Sequence, residues 1–115
     1  MPDPAAPAPL ATSEPTVTAI YTRLLACLAA LDQARVEPKE TSVHFVRTIG
    51  FAGVTPRKSA LILNVRLDHA LESERPWRSE EVSKHRWQHE FRLEQPDDVD
   101  EEIVELLREA YALAG

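Results

Sequence analysis

The fold is decided between Thr41 and Leu67, TSVHFVRTIGFAGVTPRKSALILNVRL. In Ser42 to Phe51 the odd positions Val43, Phe45, Ile49 and Phe51 are apolar, with Arg47 the exception. In Ala60 to Asp68 the odd positions Leu61, Leu63, Val65 and Leu67 are all apolar. A period of two marks a strand with one buried face, so the stretch reads as a long β-hairpin whose two strands bury the same side. Between them Thr55-Pro56-Arg57-Lys58 reads as a four-residue turn, because proline at its second position presets the backbone dihedral. Gly50 and Gly53 mark a bulge or strong twist just ahead of that turn.

Upstream of the hairpin the period is helical. Val17, Ile20, Leu24, Cys27, Leu28 and Leu31 recur at steps of three and four, which predicts a helix from Thr16 to about Leu31 with Pro15 ahead of it and Thr16 as its cap. Cys27 falls on the apolar stripe and reads as a small buried hydrophobe rather than a reactive thiol. Before the helix, Met1 to Pro15 carries Pro2, Pro4, Pro7, Pro9 and Pro15 and almost no large apolar side chain. Such a segment buries too little surface to offset its ordering entropy, so residues 1–15 are expected to be a disordered Pro/Ala-rich tail, with a proline-rich ligand for a partner as the functional alternative. Residues 16–115 are then one domain.

Downstream, Leu71 to Glu81 is charged, and Pro76-Trp77 suggests a turn entering a short edge strand. In Arg86 to Leu93 the residues Trp87, His89, Phe91 and Leu93 alternate with Arg86, Gln88, Glu90 and Arg92, a strand with an aromatic inner face and one histidine in its middle. The final element reads as a helix from Pro96 to Leu113. Pro96 suits the first helical position, Asp97, Asp98 and Asp100 complement the macrodipole, and Val99, Ile103, Leu106, Ala110 and Leu113 form the stripe. The expected architecture is α+β: an N-terminal helix, a three- to four-stranded antiparallel meander and a C-terminal helix, both helices on one face of the sheet.

Composition narrows the setting. A chain of 115 residues holds one core. One cysteine excludes a disulfide framework within the monomer and a Cys-rich zinc site, so a reducing cytoplasm is the expected compartment. No apolar run approaches the roughly 18 residues that span a bilayer, no basic, uninterrupted signal segment opens the chain, and no membrane partner is expected. The formal net charge is -6. Asp97 to Glu109 carries seven acidic residues against Arg108 alone, whereas Arg35 to Arg92 carries eleven Lys/Arg against eight Asp/Glu. A local basic patch is therefore compatible with the chain and a general nucleic-acid footprint is not.

The string Phe51 to Leu61 (FAGVTPRKSAL), the Val82-Ser83 and Trp87 to Leu93 pieces, and the ending Pro96 to Asp100 with Leu107 to Tyr111 resemble a small bacterial family. It is catalogued as a domain of unknown function, number five-six-five-five, and some members carry the label "predicted transport protein". The resemblance covers Thr16 to Leu113 and implies a fold without an assigned activity. Some relatives of that family sit beside nuclease-type domains, which implies an accessory role near nucleic acid.

Two groups of residues qualify as sites. Arg57 and Lys58 place adjacent cations on an exposed turn whose backbone N–H groups could meet a phosphate. Arg66, Arg86 and Arg92, outward with His44, Asn64, Gln88 and Glu90, would extend that patch across the sheet. The bland reading is a solvated turn that serves solubility. The second group is Arg47 and His89, which alternation places on the inner face beside Trp87 and Phe91, with Tyr111 within reach from the last helix. Arg, His and Tyr converging in an aromatic pocket suit anion binding or acid–base chemistry. The bland reading there is His89 hydrogen-bonded in the core and Arg47 paired with a carboxylate such as Glu105.

His85 and His89 do not form a metal pair, because residues four apart on a strand are about 13 Å apart. No P-loop, nucleophile elbow, dinucleotide fingerprint or HExxH motif occurs, and neither metal nor cofactor is expected. The leading expectation is a noncatalytic binding module for a phosphate-bearing ligand or a nucleic-acid-associated protein. The alternative is a small-molecule enzyme or anion binder centred on Arg47, His89 and Tyr111. A homodimer through the outer sheet face or an edge strand is a further expectation, at which only His44, Val46 and Ile62 hint.

Overall fold

Alternating apolar residues give strands only where a neighbour completes their hydrogen bonds, and here each strand finds one. The computed structural model describes Leu10 and residues 13–115. In order along the chain are α1 (Pro15–Ala29), β1 (Arg35–Pro38), β2 (Val43–Val46), β3 (Gly50–Pro56), β4 (Leu61–Leu67), β5 (Arg78–Ser83), β6 (Arg86–Leu93), a 3₁₀ turn (Pro96–Asp98) and α2 (Glu101–Leu113). All six strands form one antiparallel sheet in the order β1-β2-β3-β4-β6-β5.

The α+β class stands, but the sheet has six strands rather than three or four. β1 and β5 lie at its edges, where backbone pairing on one side suffices and no apolar alternation is required. Every residue of β5 is exposed. Nor is the order a plain meander, since β6 inserts between β4 and β5. The long first strand is also interrupted. Residues 47–49 form a turn in which the Arg47 N–H donates to the Ile49 carbonyl at 3.0 Å, so Arg47 is in a loop and Ile49 is 59% exposed.

Cross-strand rows define the faces, because directly opposed residues share a side. Phe45, Ala52, Val65 and His89 make one inner row, and Val43, Val54, Leu63 and Phe91 the next. The register shifts where Val46 pairs with Gly50. Phe51 is the additional residue of that bulge, so Ala52 rather than Phe51 continues the alternation while both are buried. One core joins these rows to Val17, Ile20, Leu24 and Leu28 of α1 and to Ile103, Leu107 and Ala110 of α2. Each fully buried side chain of this size contributes about 1.5–3 kcal/mol relative to exposure.

Both helix starts differ from expectation by local chemistry. Pro15 occupies the first turn of α1, and Glu14 rather than Thr16 is its cap. At the C-terminal helix, Asp98 accepts from the backbone N–H groups of Glu94 and Gln95 at 2.8 and 3.2 Å and holds a separate 3₁₀ turn. Asp100 then caps α2, accepting from the Ile103 N–H at 3.2 Å. Of the expected tail, residues 1–9, 11 and 12 lie outside those described. Leu10 is buried in the core, and Ser13 and Glu14 bond to the β3–β4 connection, so the packed domain begins before Thr16. Among the described residues no helix is long and apolar enough to cross a membrane.

Candidate functional site

The residues opposite the core rows stand on the outer side of the sheet. The pairing sets His44, Gly53, Asn64, Glu90 and Arg78 in one row across it, and Arg66, Gln88 and Glu80 in a neighbouring row. Arg86 and Arg92 share this side by alternation along β6. The arginines are exposed.

Ion pairing separates the cations into two populations. Arg23 meets Asp97, Arg75 meets Asp100 and Glu102, Arg92 meets Glu94, and Arg108 meets Glu105. Among the described residues no carboxylate lies within 4 Å of the cationic groups of Arg57, Lys58, Arg66, Arg78 or Arg86. Asp98, Asp100 and Glu102 near the start of α2 are meanwhile occupied. Arg75 donates to Asp100 at 2.7 Å, to Glu102 at 2.9 Å and to the Asp98 carbonyl at 2.5 Å. Its hydrogen bond holds the Asp100 carboxyl below the usual carboxylate range.

At the β3–β4 connection the Arg57 N–H is used by the Ala60 carbonyl at 2.8 Å. The carbonyls of Arg57 and Lys58 accept from the Ser13 hydroxyl and the Glu14 N–H, each at 2.9 Å. The reversal thus lies at Lys58-Ser59 rather than Thr55–Lys58. The Arg57 amide is engaged rather than turned outward, and the two exposed side chains are what this tip offers.

A depression that the sequence reading did not single out lies between β2 and β4. It measures about 60 Å³ and is lined by His44, Gly50, Ala52, Gly53, Asn64 and Arg66. The Arg66 guanidinium donates to the Gly50 carbonyl at 3.3 Å. The Asn64 amide oxygen is buried with no hydrogen-bond partner, an arrangement that costs about 1–3 kcal/mol. A side chain on Gly53 would stand 3.1 Å from the Val43 carbonyl oxygen, so glycine keeps this floor low. Outward parity made His44, Asn64 and Arg66 readable as neighbours in kind. That they surround two glycines depends on the bulge register.

The expected Arg47/His89/Tyr111 pocket is not assembled. His89 has no exposed surface. Its Nε2 donates to the His69 carbonyl at 3.0 Å and its Nδ1 accepts from the Ser79 hydroxyl at 2.7 Å, while Trp87 stacks on it at 5.8 Å between centroids. Both ring nitrogens are used and neither reaches solvent, which removes the basis for proton transfer at this histidine. Arg47 and Tyr111 do meet, but elsewhere. The guanidinium lies 4.2 Å over the Tyr111 ring and donates to the Tyr111 carbonyl at 3.2 Å, where the end of α2 favours a cation. Arg47 therefore pairs with this helix end rather than with Glu105. Tyr111 packs edge-on against Phe51 at 5.7 Å, and its hydroxyl donates to the Asp32 carbonyl. β2 and β6 are three strand spacings apart, about 14 Å, which keeps His89 away from this group.

His69 has an acceptor at each ring nitrogen, the Ala70 carbonyl at 2.8 Å and the Glu109 carboxylate at 3.0 Å. The Ala70 bond and then the Glu109 bond raise its pKa above the usual histidine value. Cys27 is half-buried. Of the three residues that suggested a dimer face, Val46 and Ile62 are 9% and 5% exposed, leaving only His44 open. Among the described residues no group of three or more His, Cys, Asp or Glu could hold a metal ion.

Residues 9–114 match the family model described as Domain of unknown function (DUF5655). No curated protein and no solved structure matches the chain.

Proposed function

The chain belongs to the DUF5655 family, and from that premise we propose that it is a noncatalytic cytoplasmic binding module that meets a phosphate-bearing ligand on the outer side of its sheet. One observation carries this reading: Arg66, Arg78 and Arg86 on that side, with Arg57 and Lys58 at the tip, have no carboxylate partner among the described residues. Arg23, Arg75 and Arg108, by contrast, each meet a carboxylate at or near α2. In this reading both helices cover the inner side, where their apolar residues join one core with the strands, and the outer side is left for contact.

Phosphate contacts of this kind bring affinity without sequence preference and release counterions. The test is fluorescence anisotropy of a labelled single-stranded oligonucleotide. Three phosphate contacts give about a tenfold or greater loss of affinity between about 50 and 200 mM salt. Arg66→Ala/Arg86→Ala and Arg57→Ala/Lys58→Ala each weaken binding and flatten that salt dependence. Binding indifferent to salt and to both pairs sinks the reading, as does no binding at low salt.

A further inference from the structure

We propose that the depression over Gly50 and Gly53 is an oxyanion subsite that seats one phosphate group of the ligand, with Arg66 as its cation and the His44 ring as a further donor. The inference rests on the reading above and names a place and a set of groups within it.

Four features converge on this spot. The floor is free of side chains at two positions of β3, and glycine within a strand marks a place where a ligand can approach the backbone. No residue of the lining is acidic. Arg66 is oriented by its bond to the Gly50 carbonyl, which uses one of the five guanidinium N–H donors and leaves the rest for an anion. About 60 Å³ is too small for a drug-sized molecule, whose sites begin near 300 Å³, and suits a compact group entering from the open side.

The surrounding charges favour an anion without being uniformly positive. Glu37 stands opposite His44 in the register but is flanked by Arg35 at 3.7 Å and Lys39 at 3.6 Å. Glu90 stands opposite Asn64, with Arg78 on its other side. Glu90 thus opposes an incoming phosphate, and its removal should help.

The experiment uses the full chain and inorganic phosphate, followed by amide ¹⁵N–¹H spectra, with chloride at equal ionic strength as control. The expected result is a saturable shift of the His44, Gly53, Asn64 and Arg66 amides with phosphate and not with chloride. Arg66→Ala weakens it about tenfold, the scale of one charge-assisted hydrogen bond, and Glu90→Gln strengthens it. Both variants are checked as folded from the same spectra. Shifts confined to Arg57 and Lys58, or shifts that Arg66→Ala leaves unchanged, overturn the subsite. If the slot stays silent while the oligonucleotide still binds, the subsite falls and the binding reading survives. If neither ligand binds, both fall.

Discussion

His69 satisfies both of its acceptors only when both ring nitrogens carry protons, so the folded protein binds that proton more tightly than the unfolded chain. Its contribution to stability is therefore complete below the ordinary histidine value and lost as pH rises through the raised one. The ring is about half exposed, which limits the effect to the 0.2–1 kcal/mol or so of a surface pair. Urea titrations should show wild type more stable than His69→Gln below the ordinary histidine value, the gap closing as pH rises above it; a gap that widens with pH contradicts the assignment. His89 is a different case, because it is sealed and each of its ring nitrogens makes a hydrogen bond. His89→Leu keeps the volume but orphans the Ser79 hydroxyl and the His69 carbonyl, and should cost about 1–3 kcal/mol, read from the urea midpoint.

Elements were legible in proportion to how much of them is buried. β4, β6 and the two helix stripes announced themselves because an inner face must be apolar at every second residue or every turn. Arg35–Pro38 and Arg78–Ser83 had no such obligation, since an edge strand is held by backbone bonds to one neighbour. Helix ends were blurred for another reason: Asp97, Asp98 and Asp100 are all capping residues, and only geometry tells which one caps what. Asp100 both caps α2 and receives Arg75. Asp100→Ala should therefore cost about 1–2 kcal/mol, more than Asp97→Ala, whose carboxylate meets only Arg23 at 3.5 Å. Comparing the two thermal melts tests this. The Asp100 contribution is present above the ordinary carboxylate range and lost as pH falls through its lowered value, so the two variants should differ less in strong acid.

Across the whole molecule, charge is sorted by pairing rather than by sign alone. Unpaired Arg66, Arg78 and Arg86 share the outer side with Glu80 and Glu90, while Asp100, Glu102 and Glu105 at α2 are engaged by arginines, so the net charge of -6 is not spread evenly over the molecule. Half of the outer side was readable from alternation, which put Arg66, Arg86 and His44 there. What alternation does not contain is which strands are neighbours. Arg47, His89 and Tyr111 looked convergent because parity places residues on a face without saying how many strands lie between them. The glycine-floored depression was hidden for the same reason.

The order β4-β6-β5 leaves β5 joined to the sheet through β6, across the hairpin turned at Lys84-His85. The outermost member of that hairpin buries no side chain. Native-state hydrogen exchange should find the amides of Arg78–Ser83 opening at far lower free energy than those of Leu61–Leu67, as a separate cooperative unit. Such an opening breaks the Ser79–His89 bond and gives solvent its first route to the buried histidine.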